Sequence, residues 1–252
     1  MAHKVISSLA KHGIYDYGSA ELLQQENHLT RYFEREYRRW EGNATPPEHY
    51  GTSSFEGNIA ARDTCIESIE HYNKELKIYE AFLDHSHMCY TMGYYGADNN
   101  TPAFMETTLA QAQTNKFDLV LERAGISEGQ NILDIGCGFG GFSAYLLKKF
   151  PDVSITAINP STTQSRYLKT RMEDGNSPLS SGRFRLVESY LDDLSDKELK
   201  SSHFDSVVSI GVLEAVTNID RLFRLIARIL KPGGKSFHHF IVSADTIPTF
   251  LN

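Results

Sequence analysis

Asn131-Ile132-Leu133-Asp134-Ile135-Gly136-Cys137-Gly138-Phe139-Gly140-Gly141-Phe142 is the stretch that decides the fold. Ile132, Leu133 and Ile135 make a short apolar run suited to a buried parallel strand. The glycines follow at once, and Phe142-Ser143-Ala144-Tyr145-Leu146-Leu147-Lys148-Lys149 then forms a good helix. Strand, glycine turn and helix open a βαβ unit. Glycines let the backbone turn sharply and let a ligand lie close against it.

Gly136, Gly138 and Gly141 also satisfy G-x-G-x-x-G, the dinucleotide fingerprint. Two features argue against NAD. Asp134 stands two residues before the first glycine, where a dinucleotide strand is usually apolar, and the fingerprint sits mid-chain with too little sequence after it. The pattern D-x-G-x-G-x-G resembles motif I of Rossmann-like S-adenosylmethionine (SAM) methyltransferases. That resemblance implies a glycine backbone facing the amino-acid end of SAM. The bland alternative is a structural βα turn.

At 252 residues the chain can bury a full core in one or two domains. A net charge of -7 and a pI near 5.8 argue against nucleic acid as the main partner, since phosphate binding needs a basic face. The three cysteines, Cys65, Cys89 and Cys137, form no CxxC pair, which suggests a reducing compartment. The first ten residues lack the apolar centre of a signal peptide, and no run approaches about 18 apolar residues. The expectation is a cytoplasmic protein without stable membrane insertion.

Leu22, Leu23, Leu29, Tyr32, Phe33, Tyr37 and Trp40 recur at helical spacing, so a helix is expected from Ser19 to Trp40. Residues 43–56 read as a loop, with helical pattern again near Ile59–Tyr72 and Glu75–Leu83. His85 and His87 make a His-x-His pair, but no third ligand stands at a recognisable spacing, so no metal is expected. Thr101, Pro102 and Gly125 bracket one helix leading into the glycine strand. Val153–Ile158, Phe184–Val187, Phe204–Ile210 and Ser236–Val242 are the remaining strands. Between them, Ser161 with Gln164 suggests a capping box on a helix ended by Gly175, and Pro232-Gly233-Gly234 suggests the stop of a helix opened by Asn218 and Asp220. This alternation predicts an α/β, Rossmann-like, doubly wound parallel sheet. The expected division is a helical N-terminal cap over 1–100 and a SAM-binding core over 101–252.

Several separate stretches share one further resemblance. His71-Tyr72-Asn73, Tyr79-Glu80-Ala81-Phe82-Leu83-Asp84 and Tyr90-Thr91-Met92-Gly93-Tyr94-Tyr95 resemble the segment before motif I in the cyclopropane fatty acid synthase family. That family includes mycolic acid methyltransferases and is related to plant coclaurine-type N-methyltransferases. The likeness continues through Thr108–Gln113, the glycine motif, Ser209–Glu214 and Lys231–Gly234, and spans roughly residues 70–245. Residues 1–70 carry no such likeness. Such class I methyltransferases usually close with one more helix and an antiparallel strand pair. Neither is found before Asn252, so the expectation is either a truncated chain or a sheet edge that a neighbouring chain, as in a homo-oligomer, completes.

The resemblance implies roles. Tyr90 and Thr91 would close over SAM; Asp134, Gly136 and Gly138 would form its methionine side; Asn159, Pro160 and Gln164 would line the nucleoside; Ser189 and Tyr190 would flank the adenine. Glu214 and His239 match acidic and histidine positions at the family's active site. Side chains alternate along a strand, so only one of His238 and His239 faces the crevice, and the family register favours His239. The implied activity is methyl transfer to a small-molecule acceptor, preferably an amine that Glu214 or His239 holds and deprotonates. One alternative is C-methylation or cyclopropanation of a lipid alkene, with a bound bicarbonate as base. Met92, where the synthases carry cysteine, counts against it, as Ala215, where the N-methyltransferases carry histidine, counts against the amine. Another alternative is a non-catalytic SAM-binding subunit.

Overall fold

A computed structural model of the protein describes residues 69–96, 102–194, 198–216 and 219–241. All of these except Ile241 belong to one compact unit. The helix expected over Ser19–Trp40, the loop at 43–56 and most of the helix expected at Ile59–Tyr72 lie outside the described residues.

Five strands build the sheet: β1 Asn131–Ile135, β2 Ser154–Ile158, β3 Phe184–Val187, β4 Phe204–Ile210 and β5 Leu230–His239. All pair in parallel, in the order β3-β2-β1-β4-β5. The helices are α1 Leu76–Glu80, α2 Pro102–Glu106, α3 Leu109–Ala124, α4 Gly141–Lys149, α5 Thr162–Glu173 and α6 Ile219–Ile229. The doubly wound parallel sheet expected from the alternation is the one observed. The order reverses between β1 and β4, and the carboxyl ends of strands at such a switch point are where sheets of this kind take a ligand.

The two faces of β1 explain its composition. Ile132 packs with Phe117, Phe142 and Leu146 on one side. Leu133 and Ile135 pack with Phe204, Val207, Leu222 and Ile226 on the other. A strand covered on both faces favours apolar residues, each of which contributes about 1.5–3 kcal/mol on burial, and its one buried charge, Asp134, has a partner in Ser143.

Four local expectations are corrected. The single helix after Thr101 is two, because Thr108 caps a new start: its hydroxyl accepts from Gln111 N, and Gln111 Oε1 accepts from Thr108 N at 2.8 Å. Gly125 does end that helix, in the left-handed conformation at φ 66°. The Ser161–Gln164 capping box is only half formed, since Gln164 Oε1 accepts from Asn159 instead of reaching back. Asp174, in extended backbone, ends α5, so Gly175 is not its cap. Pro232-Gly233-Gly234 lies within β5 rather than before it. Phe204 pairs with Leu230 and Ser206 with Lys235, so the turn bulges out of the ladder. Gly234 is needed there because a Cβ would stand 2.9 Å from the Lys231 carbonyl and 3.0 Å from that of Asp205.

Candidate cofactor and acceptor site

The glycine corner divides its glycines by role. A Cβ at Gly136 would lie 2.5 Å from Val212 Cγ2, and one at Gly140 the same distance from Leu168 Cδ2. A Cβ at Gly141 would collide with the His87 carbonyl. These three are glycine because protein packs against them. Gly138, at φ 58°, has open space where its side chain would be. It is therefore the glycine against which a ligand can lie.

Asp134 stands at the floor of this corner. It is buried, and its carboxylate accepts from Ser143 Oγ at 2.7 Å. Burial pushes its pKa up to about 6, against the opposing Ser143 bond. The acid thus ties β1 to α4 across the glycine turn.

Asn159, at the end of β2, is 2% exposed and fully engaged. Its Nδ2 donates to the Gly138 carbonyl at 2.8 Å and to Gln164 Oε1 at 3.1 Å, while Oδ1 accepts from Ser161 N at 2.9 Å. Asn159 and Gln164 brace the ligand-facing glycine from behind. Pro160 is partly exposed beside them. After β3, Ser189 and Tyr190 are partly exposed, and Ser189 Oγ donates to the Tyr190 carbonyl at 3.0 Å.

The segment before α2 is strapped across this corner. Asn73 Oδ1 accepts from Thr162 N at 2.9 Å, and Thr163 Oγ1 donates to the Asn73 carbonyl at 3.1 Å. Asn73 therefore supplies a second cap to α5, alongside Ser161. Tyr79, Leu83 and Met88 bury against Phe139 of the glycine turn. His71, Tyr72 and Phe82 surround Tyr90, with ring centroids 5.5–5.9 Å away, and Tyr90 Oη lies 3.0 Å from His71 Nε2.

Thr91 is fixed at both ends. Its carbonyl accepts from Gln113 Nε2 and its hydroxyl from Lys116 Nζ, each at 2.7 Å. Its methyl packs so closely on Gly211, at the end of β4, that a Cβ there would stand 2.8 Å away.

Gly211 N donates to the His239 carbonyl at 2.8 Å, and Glu214 follows on a short 3₁₀ turn, Leu213–Ala215. The two histidines separate as strand alternation requires. His238 Nδ1 lies 2.8 Å from Ser209 Oγ, and its ring meets Phe223 of α6 edge to face. His239 lies instead within the fields of Lys116 and Glu214. Burial, then the Lys116 ammonium, lowers its pKa, and Glu214 opposes them. Glu214 also raises the Tyr72 hydroxyl, after burial and Tyr90. Glu214, His239 and Tyr72 thus share one electrostatic environment at the carboxyl ends of β4 and β5.

Two contributors had no role assigned from the sequence. Tyr72 lay in a family-like stretch, and only the strap brings it to Tyr90. Lys116 had a visible signal: it sits on the buried face of α3 with Gln113, Phe117 and Val120, where a lysine is out of place without a partner. His87 is spent on Thr114 Oγ1, 2.9 Å from Nε2, and on the Phe117 ring. Among the described residues no three His, Cys, Asp or Glu side chains are grouped to hold a metal ion.

The sequence profile of the mycolic acid cyclopropane synthetase family matches residues 60–249. Cyclopropane-fatty-acyl-phospholipid synthase of Escherichia coli is 32% identical over 180 residues, which are 70% of this chain and 41% of that protein. (S)-Coclaurine N-methyltransferase of Papaver somniferum is 28% identical over 171 residues, 66% of this chain and 44% of that one. The chain therefore spans about two-fifths of the length of these curated relatives. Among solved structures, a coclaurine N-methyltransferase bound to N-methylheliamine and SAH superposes with a TM-score of 0.64 at 20% identity, covering 95% of this chain and 64% of that one. A cyclopropane synthase from Mycobacterium tuberculosis gives 0.57 at 23% identity, covering 73% and 58%. At these identities the superpositions show a shared fold.

Proposed function

The chain belongs to the mycolic acid cyclopropane synthetase family, and from that premise we propose that it moves a methyl group from SAM to a small-molecule amine. The observation that carries the cofactor is Gly138, held at positive φ by Asn159 with open space above it. When bound, SAM supplies a methyl carbon already electrophilic by attachment to sulfonium.

The chain's own task is then alignment and proton management. Gly136 and Gly138 form the methionine side, with Tyr90 and Thr91 strapped above. Asn159 and Gln164 act through the Gly138 carbonyl, while Pro160, Ser189 and Tyr190 line the nucleoside end. His239 is held neutral at physiological pH by burial and Lys116. It takes the proton of the incoming amine at Nε2, since Nδ1 is buried without a partner among the described residues. Glu214 balances the positive charge. The rings of Tyr72, Tyr90 and Phe82 offer faces to a cation, which suits an ammonium as well as the sulfonium.

The lipid reading has its own support in the 32% identical Escherichia coli synthase. Methyl-labelled SAM incubated with the protein and an extract of the source cells, then partitioned, separates the two. Label in the aqueous phase, lost in Glu214→Gln, is expected. Label in the organic phase would replace the amine with a lipid alkene. SAM binding by calorimetry with no label in either phase would make the chain a non-catalytic SAM-binding subunit.

A further inference from the structure

The most unusual ionisable group in the described structure is Lys116. It is 4% exposed, in the middle of α3, and makes no ion pair with a described carboxylate. A buried ammonium is costly: burial lowers the Lys116 pKa, and Cys89 and the Asp84 carboxylate oppose that shift without cancelling it. Its hydrogens go to neutral oxygens: Thr91 Oγ1 at 2.7 Å and Gln113 Oε1. Gln113 in turn holds the Thr91 carbonyl. Two adjacent turns of one helix therefore grip a single residue of the strap by its main chain and its side chain.

The grip reaches the site through contacts that have no slack. Thr91 packs its methyl on Gly211, where even a Cβ would not fit, and Gly211 N is bonded to the His239 carbonyl. Glu214 is three residues further on. Helix α3 also packs on β5. One lysine thus holds the strap at the residue that packs on the turn bonded to His239.

We propose that Lys116 is a positioning residue of the site: it locks Thr91 onto the Gly211 corner and supplies the positive charge that balances Glu214 across His239. The hydrogen bonds of Nζ go to neutral oxygens, and Asp84 and Cys89 are the described groups that act on its charge. Among the described residues the charged groups acting on His239 are Lys116 from α3 and Glu214 from the turn after β4, while His238 on the same strand is turned to Ser209 and Phe223. Removing Lys116 takes away the ammonium that lowers the His239 pKa, so His239 holds its proton to higher pH. A base meant to be neutral at pH 7 would then be protonated in part.

The role in methyl transfer rests on the proposed function, but the test does not. The imidazole C–H resonances of the whole chain are followed against pH in the wild type, Lys116→Met and Lys116→Arg, with His239→Gln identifying the signal. Lys116→Met is expected to raise the His239 midpoint by about half a pH unit or more, and Lys116→Arg to restore it. A midpoint that stays in place in Lys116→Met overturns the electrostatic role. The mechanical role is read separately by amide exchange in Thr91→Val and Thr91→Ser, which keep the lysine and so remain usable if Lys116→Met does not fold. Exchange of the 90–93 amides at least about tenfold faster in Thr91→Val, and not in Thr91→Ser, is expected. Equal exchange in both overturns the lock. Failure of SAM to bind the wild type would leave these results standing and would instead remove the methyl-transfer reading.

Discussion

Asn159 Nδ2 donates to the Gly138 carbonyl at 2.8 Å, so the end of one strand holds the turn that follows another. An acidic residue at this position of a SAM-binding sheet would reach out to a ribose. Here the amide faces inward, because only an N–H donor satisfies that carbonyl. Asn159→Asp places a carboxylate against the carbonyl and Gln164 Oε1, three acceptors with no donor. It is expected to cost about 1–3 kcal/mol of stability in urea denaturation and at least tenfold in SAM affinity by calorimetry. Wild-type SAM affinity in this variant would show that the brace is not what shapes the glycine.

The glycines should fail in different ways. Gly138→Ala meets no neighbour, so its folded-state penalty is the left-handed backbone alone, about 1–2 kcal/mol, while the added methyl fills the ligand's space. Gly136→Ala adds a clash with Val212 to the same backbone strain. Melting temperatures and SAM titrations should show Gly138→Ala folded and unable to bind. Gly136→Ala should be the less stable of the two. The reverse order would place the cofactor elsewhere.

How much of this was legible follows the range of the interactions. Strand β1, the glycine turn and α4 are written in consecutive residues, as are β2, β3 and β4. The failures came where another partner outbid the expected one. Ser161-x-x-Gln164 looked like a capping box until Asn159 took the glutamine oxygen. Pro232-Gly233-Gly234 reads as a helix stop because its place inside β5 is set by pairing with β4, Phe204 with Leu230 and Ser206 with Lys235, which nothing local announces. Thr108-x-x-Gln111 was the reverse: a local signal present but overridden in the reading by the longer Pro102–Gly125 frame. The site residues came from family-like motifs. Their joining by Lys116, Tyr72 and Asn73 depends on the path of the strap, which no local pattern describes.

Neighbouring histidines on β5 make an internal control. His239→Gln removes the proposed proton acceptor and is expected to lower turnover by about a hundredfold or more, with SAM affinity retained. His238→Ala loses the Ser209 contact and the Phe223 edge, and is expected to cost about 1–2 kcal/mol of stability with turnover largely kept. The pH–rate profile adds a sign. Burial and Lys116 both lower the His239 pKa, so the acid limb lies below about 6.5 and the rate is level through neutrality. An acid limb above pH 7, or equal loss in both variants, would remove His239 from the chemistry.

Cutting the strap tests whether it matters at the chemical end. Asn73→Ala removes the acceptor for Thr162 N and one of the two acceptors of Ser161 Oγ, which keeps the Tyr72 carbonyl, leaving α5 with the Ser161 cap alone. The expected cost is about 1 kcal/mol, comparable with loss of a helix cap. The informative readout is limited proteolysis between Tyr72 and Thr91. Faster cleavage there, suppressed by saturating SAM, is expected if the strap and the cofactor support each other. Cleavage unchanged by SAM would separate the strap from the cofactor site.

Asp134 gives the site a pH signature that runs opposite to the usual carboxylate. Burial pushes its folded pKa up to about 6, above the ordinary value of 3.8, so between these limits the folded state holds the proton more firmly than the unfolded chain. Stability therefore falls as pH rises through the window, by an amount on the order of 3 kcal/mol. Asp118 and Asp205 are shifted down by their lysine partners and act in the other direction, so the total profile is not diagnostic. The difference between Asp134→Asn and wild type is. Asparagine keeps an oxygen for Ser143 and cannot ionise, so the variant's stability relative to wild type should climb from pH 4 to pH 7 and then level off. Urea denaturation at each pH measures it. A difference that is flat across the window would mean that Asp134 ionises normally, and that its carboxylate is compensated by something other than the Ser143 hydroxyl.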